Sequence, residues 1–202
     1  MVVDNKATIT YVQLLKEDLV IIRLVPKEGT VPDYQAGQFI TLGLPNPVEG
    51  GKIVRRAYSI ASHPENKKFI ELVIRWVRKP LPGRLTTQLF NAKEGDEILW
   101  LKPTGRALLI NETLPNGEKD NRRIICIGGG TGLAPFVSFA QHLHDTGDKR
   151  EIIVLHGASY VDELSYKELE VSNGGMAQRV WMETMLKGKN IDDKDGILEH
   201  LK

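Results

Sequence analysis

Three short stretches of the chain hold residue types and spacings suited to a ligand that carries phosphates and a flat ring. The first is Gly128-Gly129-Gly130-Thr131-Gly132-Leu133-Ala134-Pro135, which follows an apolar run and opens a helical pattern. Glycines let a backbone approach a pyrophosphate without Cβ obstruction, and a helix start offers unpaired N–H groups with partial positive charge. The spacing differs from the G-x-G-x-x-G dinucleotide fingerprint, and Pro135 falls within the first turn, where proline is tolerated. The second stretch is Arg56-Ala57-Tyr58-Ser59. An arginine clamps phosphate, a tyrosine face stacks on a planar ring, and a serine hydroxyl bonds a ring nitrogen. The third, Gly83-Arg84-Leu85-Thr86, begins a short helical pattern and again leaves backbone N–H groups free. Taken alone, each also reads as ordinary structure: a glycine-rich turn, a half-buried strand tyrosine, a helix begun after a Pro-Gly break.

The elements that must position them fall into two textures. Short β-branched or apolar runs at 7–14, 19–25, 38–44, 57–61, 69–77 and 97–101 alternate with Pro, Gly and Asn clusters, which predicts an antiparallel barrel or sandwich. One helix, at 85–92, interrupts them with Leu85 and Leu89 at helical spacing. Residues 111–121 are polar with Pro and Gly and read as a linker. Beyond it, a buried-type strand at 122–127, a helix at 133–144, a strand at 151–155 and a helix at 161–170 make a βαβ unit and predict a parallel sheet. A further short helix is expected at 176–186, with Arg179 on its solvated side.

Composition narrows the chemistry. The 202 residues include a single cysteine, Cys126, which excludes an internal disulfide, a four-cysteine iron–sulfur cluster and a cysteine-rich zinc site. His142 and His144, two apart on a predicted helix, point to different faces, so no metal site is expected. A net charge of +1 gives no reason to expect nucleic acid. The charge is uneven: residues 1–110 hold 16 Lys/Arg against 11 Asp/Glu, and residues 111–202 hold 11 against 15. The first part could therefore attract an acidic partner, although two solvated faces of different charge are an equally simple reading. The chain opens without a charged segment leading into an apolar core. No apolar run approaches the roughly 18 residues needed to span a bilayer, so a cytoplasmic protein with no membrane contact is expected.

In order and spacing the motifs resemble the bacterial ferredoxin/flavodoxin-NADP reductase family. Gly37-Gln38-Phe39 precedes Arg56-Ala57-Tyr58-Ser59. Gly83-Arg84-Leu85-Thr86, Gly95-Asp96-Glu97-Ile98, Lys102-Pro103-Thr104-Gly105 and the stretch from Gly129 to Phe136 follow, and after them come His156-Gly157-Ala158-Ser159-Tyr160 and Leu164-Ser165-Tyr166. The resemblance implies a six-stranded antiparallel FAD-binding barrel, residues 1–112, followed by a parallel α/β nucleotide-binding domain, residues 113–202. By similarity Arg56 holds the FAD pyrophosphate, Tyr58 stacks on the isoalloxazine, Ser59 lies near flavin N5, and Ala57 belongs to the same strand. Arg84, Leu85 and Thr86 wrap the FAD phosphates, and Val73 lines the flavin pocket. Gly130, Thr131 and Pro135 form the junction where nicotinamide meets flavin, Gly129 and Gly132 belong to the same cofactor-binding stretch, and Ser159 takes a cofactor-binding place where the family has an arginine for the 2′-phosphate. Tyr58 and Ser59 are the pair expected at the reacting ring.

The implied activity is electron transfer between NADP(H) and ferredoxin or flavodoxin, by hydride transfer between nicotinamide C4 and FAD N5, in a monomer. An NAD(P)H:flavin reductase, an oxygenase-linked reductase, and an FAD-binding protein without efficient hydride transfer are the alternatives. The resemblance stops near residue 170. The family's Cys-Gly-x-Pro segment has no counterpart, and roughly 80 residues after the linker are few for a doubly wound domain, so the second domain is expected to be short or incomplete. Arginines that would grip a 2′-phosphate are also missing around Ser159, with Arg179 the one candidate to substitute, which leaves NAD(H) open as a cofactor beside NADP(H).

Overall fold

A computed structural model describes residues 4–78, 83–159 and 163–166, and the backbone of 181–186. Six strands form the first sheet: β1 (Asn5–Lys16), β2 (Leu19–Pro26), β3 (Phe39–Asn46), β4 (Lys52–Ser59), β5 (Ile70–Arg75) and β6 (Glu97–Thr104). They run in the order β4-β3-β6-β1-β2-β5, and every pairing is antiparallel. The two end strands meet just past β4, where Ile60 bridges Leu72 and the Ala61 N–H donates to the Glu71 carbonyl at 2.8 Å, closing the sheet into the expected barrel. One helix, α1 (Arg84–Phe90), packs on β3 and β4. Leu85 and Leu89, four apart and so on one face, are both buried in the barrel core with Ile22, Ile40, Leu42 and Leu72. Each such side chain contributes about 1.5–3 kcal/mol by leaving water.

The apolar run of β2 has a specific cause. Val20, Ile22 and Leu24 face the barrel interior, while Leu19 and Ile21 face outward and are equally buried. What covers the outward pair is the second unit. Its strands β7 (Ile124–Gly129), β8 (Ile152–Ala158) and β9 (Trp181–Leu186) form a parallel sheet in the order β7-β8-β9. Helix α2 (Ala134–Asp145) lies between β7 and β8 in the chain and covers one face of that sheet through Val137, Ala140 and Leu143 against Cys126, Ile152 and Val154.

Several expectations need correction. The residues at 181–186 form a strand, not the end of a helix: Met, Glu and Leu are good helix formers, but propensity is a weak prior that tertiary pairing overrides, and these residues add to β8 as a parallel partner. Arg179 lies outside the described residues. The helix expected at 161–170 is absent from its described part, 163–166, which is a turn in which Tyr166 takes φ 59°. β7 is not a fully buried strand, since Ile125 and Ile127 are 45% and 68% exposed on the face opposite α2. The stretch at 111–121, expected as the linker, carries local structure of its own. Thr113 bridges Lys119, and Arg150 donates to the Asn111 carbonyl at 2.7 Å while Arg122 grips the Asp120 carboxylate.

The two units are joined by both apolar and polar contacts. Ala134, the first residue of α2, packs with Leu19, Ile21, Ala61 and Val73. Beside it the Ser138 hydroxyl donates to the Ser62 carbonyl at 2.7 Å, and His63 reaches Gln141 and Asp145, each at 2.9 Å. On the other flank the Tyr166 hydroxyl donates to the buried Glu71 carboxylate at 2.6 Å, and Arg23, held between the rings of Tyr11 and Phe69, donates to the same carboxylate at 2.7 Å. A hydrogen bond to a charged acceptor contributes about 1.5–3 kcal/mol. Tyr166→Phe is therefore expected to lower the unfolding free energy by about 1–3 kcal/mol, read as a lower urea midpoint; an unchanged midpoint would show that this bond does not join the units.

Candidate functional site

β4 is an end strand of the barrel sheet, so its side chains are only partly covered. Its register with β3 sets Arg56 across from Leu42 and Tyr58 across from Ile40. Directly opposed residues share a sheet face, so Arg56 and Tyr58 stand together, while Ala57 and Ser59 lie on the opposite face, both exposed. Tyr58 is half-buried against the barrel core, yet its hydroxyl is shielded from solvent without a hydrogen-bond partner among the described residues. Burial pushes this phenol up to about 12, which keeps it a neutral donor. An orphaned hydroxyl beside an exposed guanidinium is what a bound ring with attached phosphates would complete.

α1 supplies the second element. Its N-cap, Gly83, gives no side-chain cap, and the Thr86 and Thr87 hydroxyls both donate to the Gly83 carbonyl, at 3.2 and 2.7 Å. Arg84 is exposed at the first helical position. Leu85 is a core residue, so its side chain is not available to a ligand. Val73 is likewise 5% exposed and engaged with Ala134, beneath the glycine turn.

The glycine stretch forms the third element. β7 runs out at Gly129, a tight 3-10 turn spans Gly130–Leu133, and α2 begins at Ala134 with Pro135 buried in its first turn. Gly130 has φ 52°, in the left-handed region that favours glycine. Gly128 answers to close approach: a Cβ there would sit 2.9 Å from the Gly132 carbonyl oxygen and 3.0 Å from the Phe136 ring. Gly132 differs from both, being exposed, and a Cβ added to it would meet nothing within 4 Å. Among the described residues no side chain caps the turn, so its first N–H groups are open to a ligand. The turn packs against β5 and β8, which sets it beside the barrel near Val73.

Around it, the Ser159 N–H donates to the Glu163 carboxylate at 3.1 Å. Burial works to raise the Glu163 carboxyl, but the Arg75 guanidinium, this N–H and Lys16 outweigh it and hold the group below the usual carboxylate range. Ser159 is exposed at the end of β8. Among the described residues no group of three His, Cys, Asp or Glu is arranged to hold a metal, and no helix is long and apolar enough to cross a membrane. Sequence reasoning missed the junction residues Ser62, His63, Glu71 and Ser138, because nothing local in the sequence distinguishes a serine that bonds across a domain boundary from a solvated one.

Comparison with known proteins decides the family. A family model described as an oxidoreductase FAD-binding domain matches residues 6–108, and one described as an oxidoreductase NAD-binding domain matches residues 126–188. This chain belongs to the FAD- and NAD-binding oxidoreductases of the ferredoxin-NADP reductase family. The second match runs past residue 170, where the motif resemblance stops. A ferredoxin-NADP reductase of Azotobacter vinelandii is 34% identical over 138 residues, 67% of this chain and 48% of that protein. The reductase component of propane 2-monooxygenase from Mycolicibacterium goodii is 30% identical over 175 residues, 85% of this chain and 46% of that protein. The chain thus spans about half the length of the curated relatives it matches. A crystal structure of the Neisseria gonorrhoeae ferredoxin NADP+ reductase with bound FAD and NADP shares the fold with a TM-score of 0.64 at 22% identity, over 80% of this chain and 60% of that one.

The family's two cofactors suit the residues present. The unpartnered Tyr58 hydroxyl, the exposed Arg56 and the uncapped start of α1 fit FAD, and the open glycine turn fits a dinucleotide. The glycines separate fold from binding. Gly128→Ala is expected to destabilise the chain by about 1–3 kcal/mol through overpacking, seen as a lower melting temperature. Gly132→Ala should leave the melting temperature unchanged and weaken dinucleotide binding in an equilibrium titration; unimpaired binding would remove the ligand from this turn.

Proposed function

We propose that this chain moves electrons between NADP(H) and ferredoxin or flavodoxin, with FAD held on the barrel and the dinucleotide on the glycine turn. The observation that supports it most is the seating of the turn. Ala134 packs against Val73, and Ser138 bonds to Ser62, a residue just past the end of β4, so both half-sites open on one junction. When bound, FAD would supply the redox chemistry, exchange of a hydride between its N5 and nicotinamide C4 and of single electrons with a carrier. The chain's residues do the rest. Tyr58 offers its ring to the flavin and its hydroxyl as a donor. Arg56 and the first turn of α1, with Arg84, the Leu85 backbone and Thr86, neutralise the diphosphate. Ser59 hydrogen-bonds at the edge of the reacting ring. Gly129, Gly130, Thr131, Gly132 and Pro135 bring the backbone against the dinucleotide, and the packed junction excludes water and fixes the approach.

A second reading, delivery of electrons to an oxygenase, is favoured by the propane monooxygenase reductase component, whose match covers more of this chain than that of the ferredoxin-NADP reductase from Azotobacter vinelandii. The excess of positive charge in residues 1–110 supports docking of an acidic carrier in either case. Anaerobic mixing of the FAD-loaded protein with NADPH or NADH tests the core of the proposal: the flavin absorbance should bleach, and a flavin that stays oxidised would refute it. Ferredoxin-dependent reduction of a cytochrome at a rate that falls with salt identifies the carrier. Tyr58→Ala should lose FAD on gel filtration, and full retention would count against the stacking role. Because no arginine follows Ser159 in the chain before Arg179, and Arg75 is already paired with the Glu163 carboxylate that accepts the Ser159 N–H, the preference for NADPH over NADH is expected to stay below about tenfold, the worth of roughly one charged contact. A much larger measured ratio would contradict this.

A further inference from the structure

His156 is 1% exposed on β8 and lies in register with Gly128 on β7. Its Nε2 is 3.2 Å from the carbonyl oxygen of Gly130, the left-handed residue of the glycine turn. A carbonyl only accepts, so Nε2 carries the proton. Nδ1 is then an acceptor, and it is buried with no partner among the described residues. The ring therefore makes one polar contact there, and that contact is to the turn. The consequence follows from peptide planarity. In a trans peptide the C=O of Gly130 and the N–H of Thr131 point in opposite directions. With the carbonyl drawn inward to a buried imidazole, the Thr131 N–H is turned outward, to the open side of the turn. Rotation of this peptide turns about ψ of Gly130 and φ of Thr131, and with no Cβ on Gly130 the direction of its carbonyl is held less firmly by local sterics, so the imidazole supplies the hold.

We infer that His156 is a positioning residue for the dinucleotide: its Nε2–H anchors the Gly130 carbonyl against the sheet and thereby aims the Thr131 N–H at the ligand. This deepens the proposed function and rests on it for the identity of the ligand. The geometric half, anchor and amide orientation, stands apart from that identity. Burial also lowers the basicity of the ring, outweighing the bond to Gly130, so the neutral form is the one that serves.

Three FAD-loaded proteins test it: wild type, His156→Gln, which keeps an amide donor, and His156→Leu, which fills the space without one. The Leu variant should raise the dissociation constant and the KM for NADPH or NADH about tenfold, the size of one hydrogen bond, with kcat and FAD content little changed. The Gln variant should stay within about threefold of wild type. In 15N-labelled protein without dinucleotide, the Thr131 amide resonance should shift in the Leu variant and remain near its place in the Gln variant. Equal dissociation constants in all three, or a Thr131 amide indifferent to Leu, would overturn the inference. Should the Leu variant not fold, the imidazole nitrogens of the wild type decide: a neutral ring protonated at Nε2 is required, and protonation at Nδ1 overturns the inference. A wild type that binds no dinucleotide while its Thr131 amide still answers to residue 156 would defeat the proposed function and leave the anchor standing.

Discussion

Everything at the site depends on the start of α2 being seated against the outside of the barrel. Ala134 enters an apolar cluster with Leu19, Ile21, Ala61 and Val73, and one turn later Ser138 bonds to the Ser62 carbonyl. The cluster keeps β2 and β5 dry on their outer sides, and the hydrogen bond fixes rotation about the helix axis. A flexible linkage would leave each cofactor site intact but would not hold reacting atoms within the few ångströms and narrow angles that hydride transfer needs. The salt-linked flank, Tyr166 and Arg23 on Glu71, adds a second point of attachment, and two separated points define an orientation where one does not.

Much of the barrel is legible in the sequence because its strands obey local rules. The apolar runs, the turn residues between them and the Leu85/Leu89 pair place five of the six strands and the helix within a few residues. The fourth run reads as a strand only from residue 57, whereas β4 begins at Lys52, because Lys52 to Arg56 are half-exposed and lack the alternation of a packed strand. The second unit is less legible for a related reason. β7 reads as apolar on both faces, yet Ile125 and Ile127 have no cover among the described residues, and the pairing of 181–186 with β8 is a long-range event that local propensity opposes.

The site divides in the same way. Backbone devices are readable: Gly130 sits at positive φ, and α1 starts without a side-chain cap. Side-chain roles are less so. Val73 and Leu85 are buried packing residues, and Tyr58 and Ser59, adjacent in sequence, lie on opposite faces of their strand. The residues that join the units, Ser62, Glu71 and Ser138 among them, and His156 behind the glycine turn carry no sequence signal beyond their type, since their partners lie between 26 and 95 positions away.

The central claim is that a flavin ring covers Tyr58 with its diphosphate at Arg56 and α1. Titration of the flavin-free chain with FAD, followed by flavin fluorescence, tests this most directly. The account predicts saturable uptake of one FAD per chain with strong quenching, as an aromatic face stacks on the ring. Fluorescence that rises linearly with added FAD, as it does in buffer alone, would contradict it.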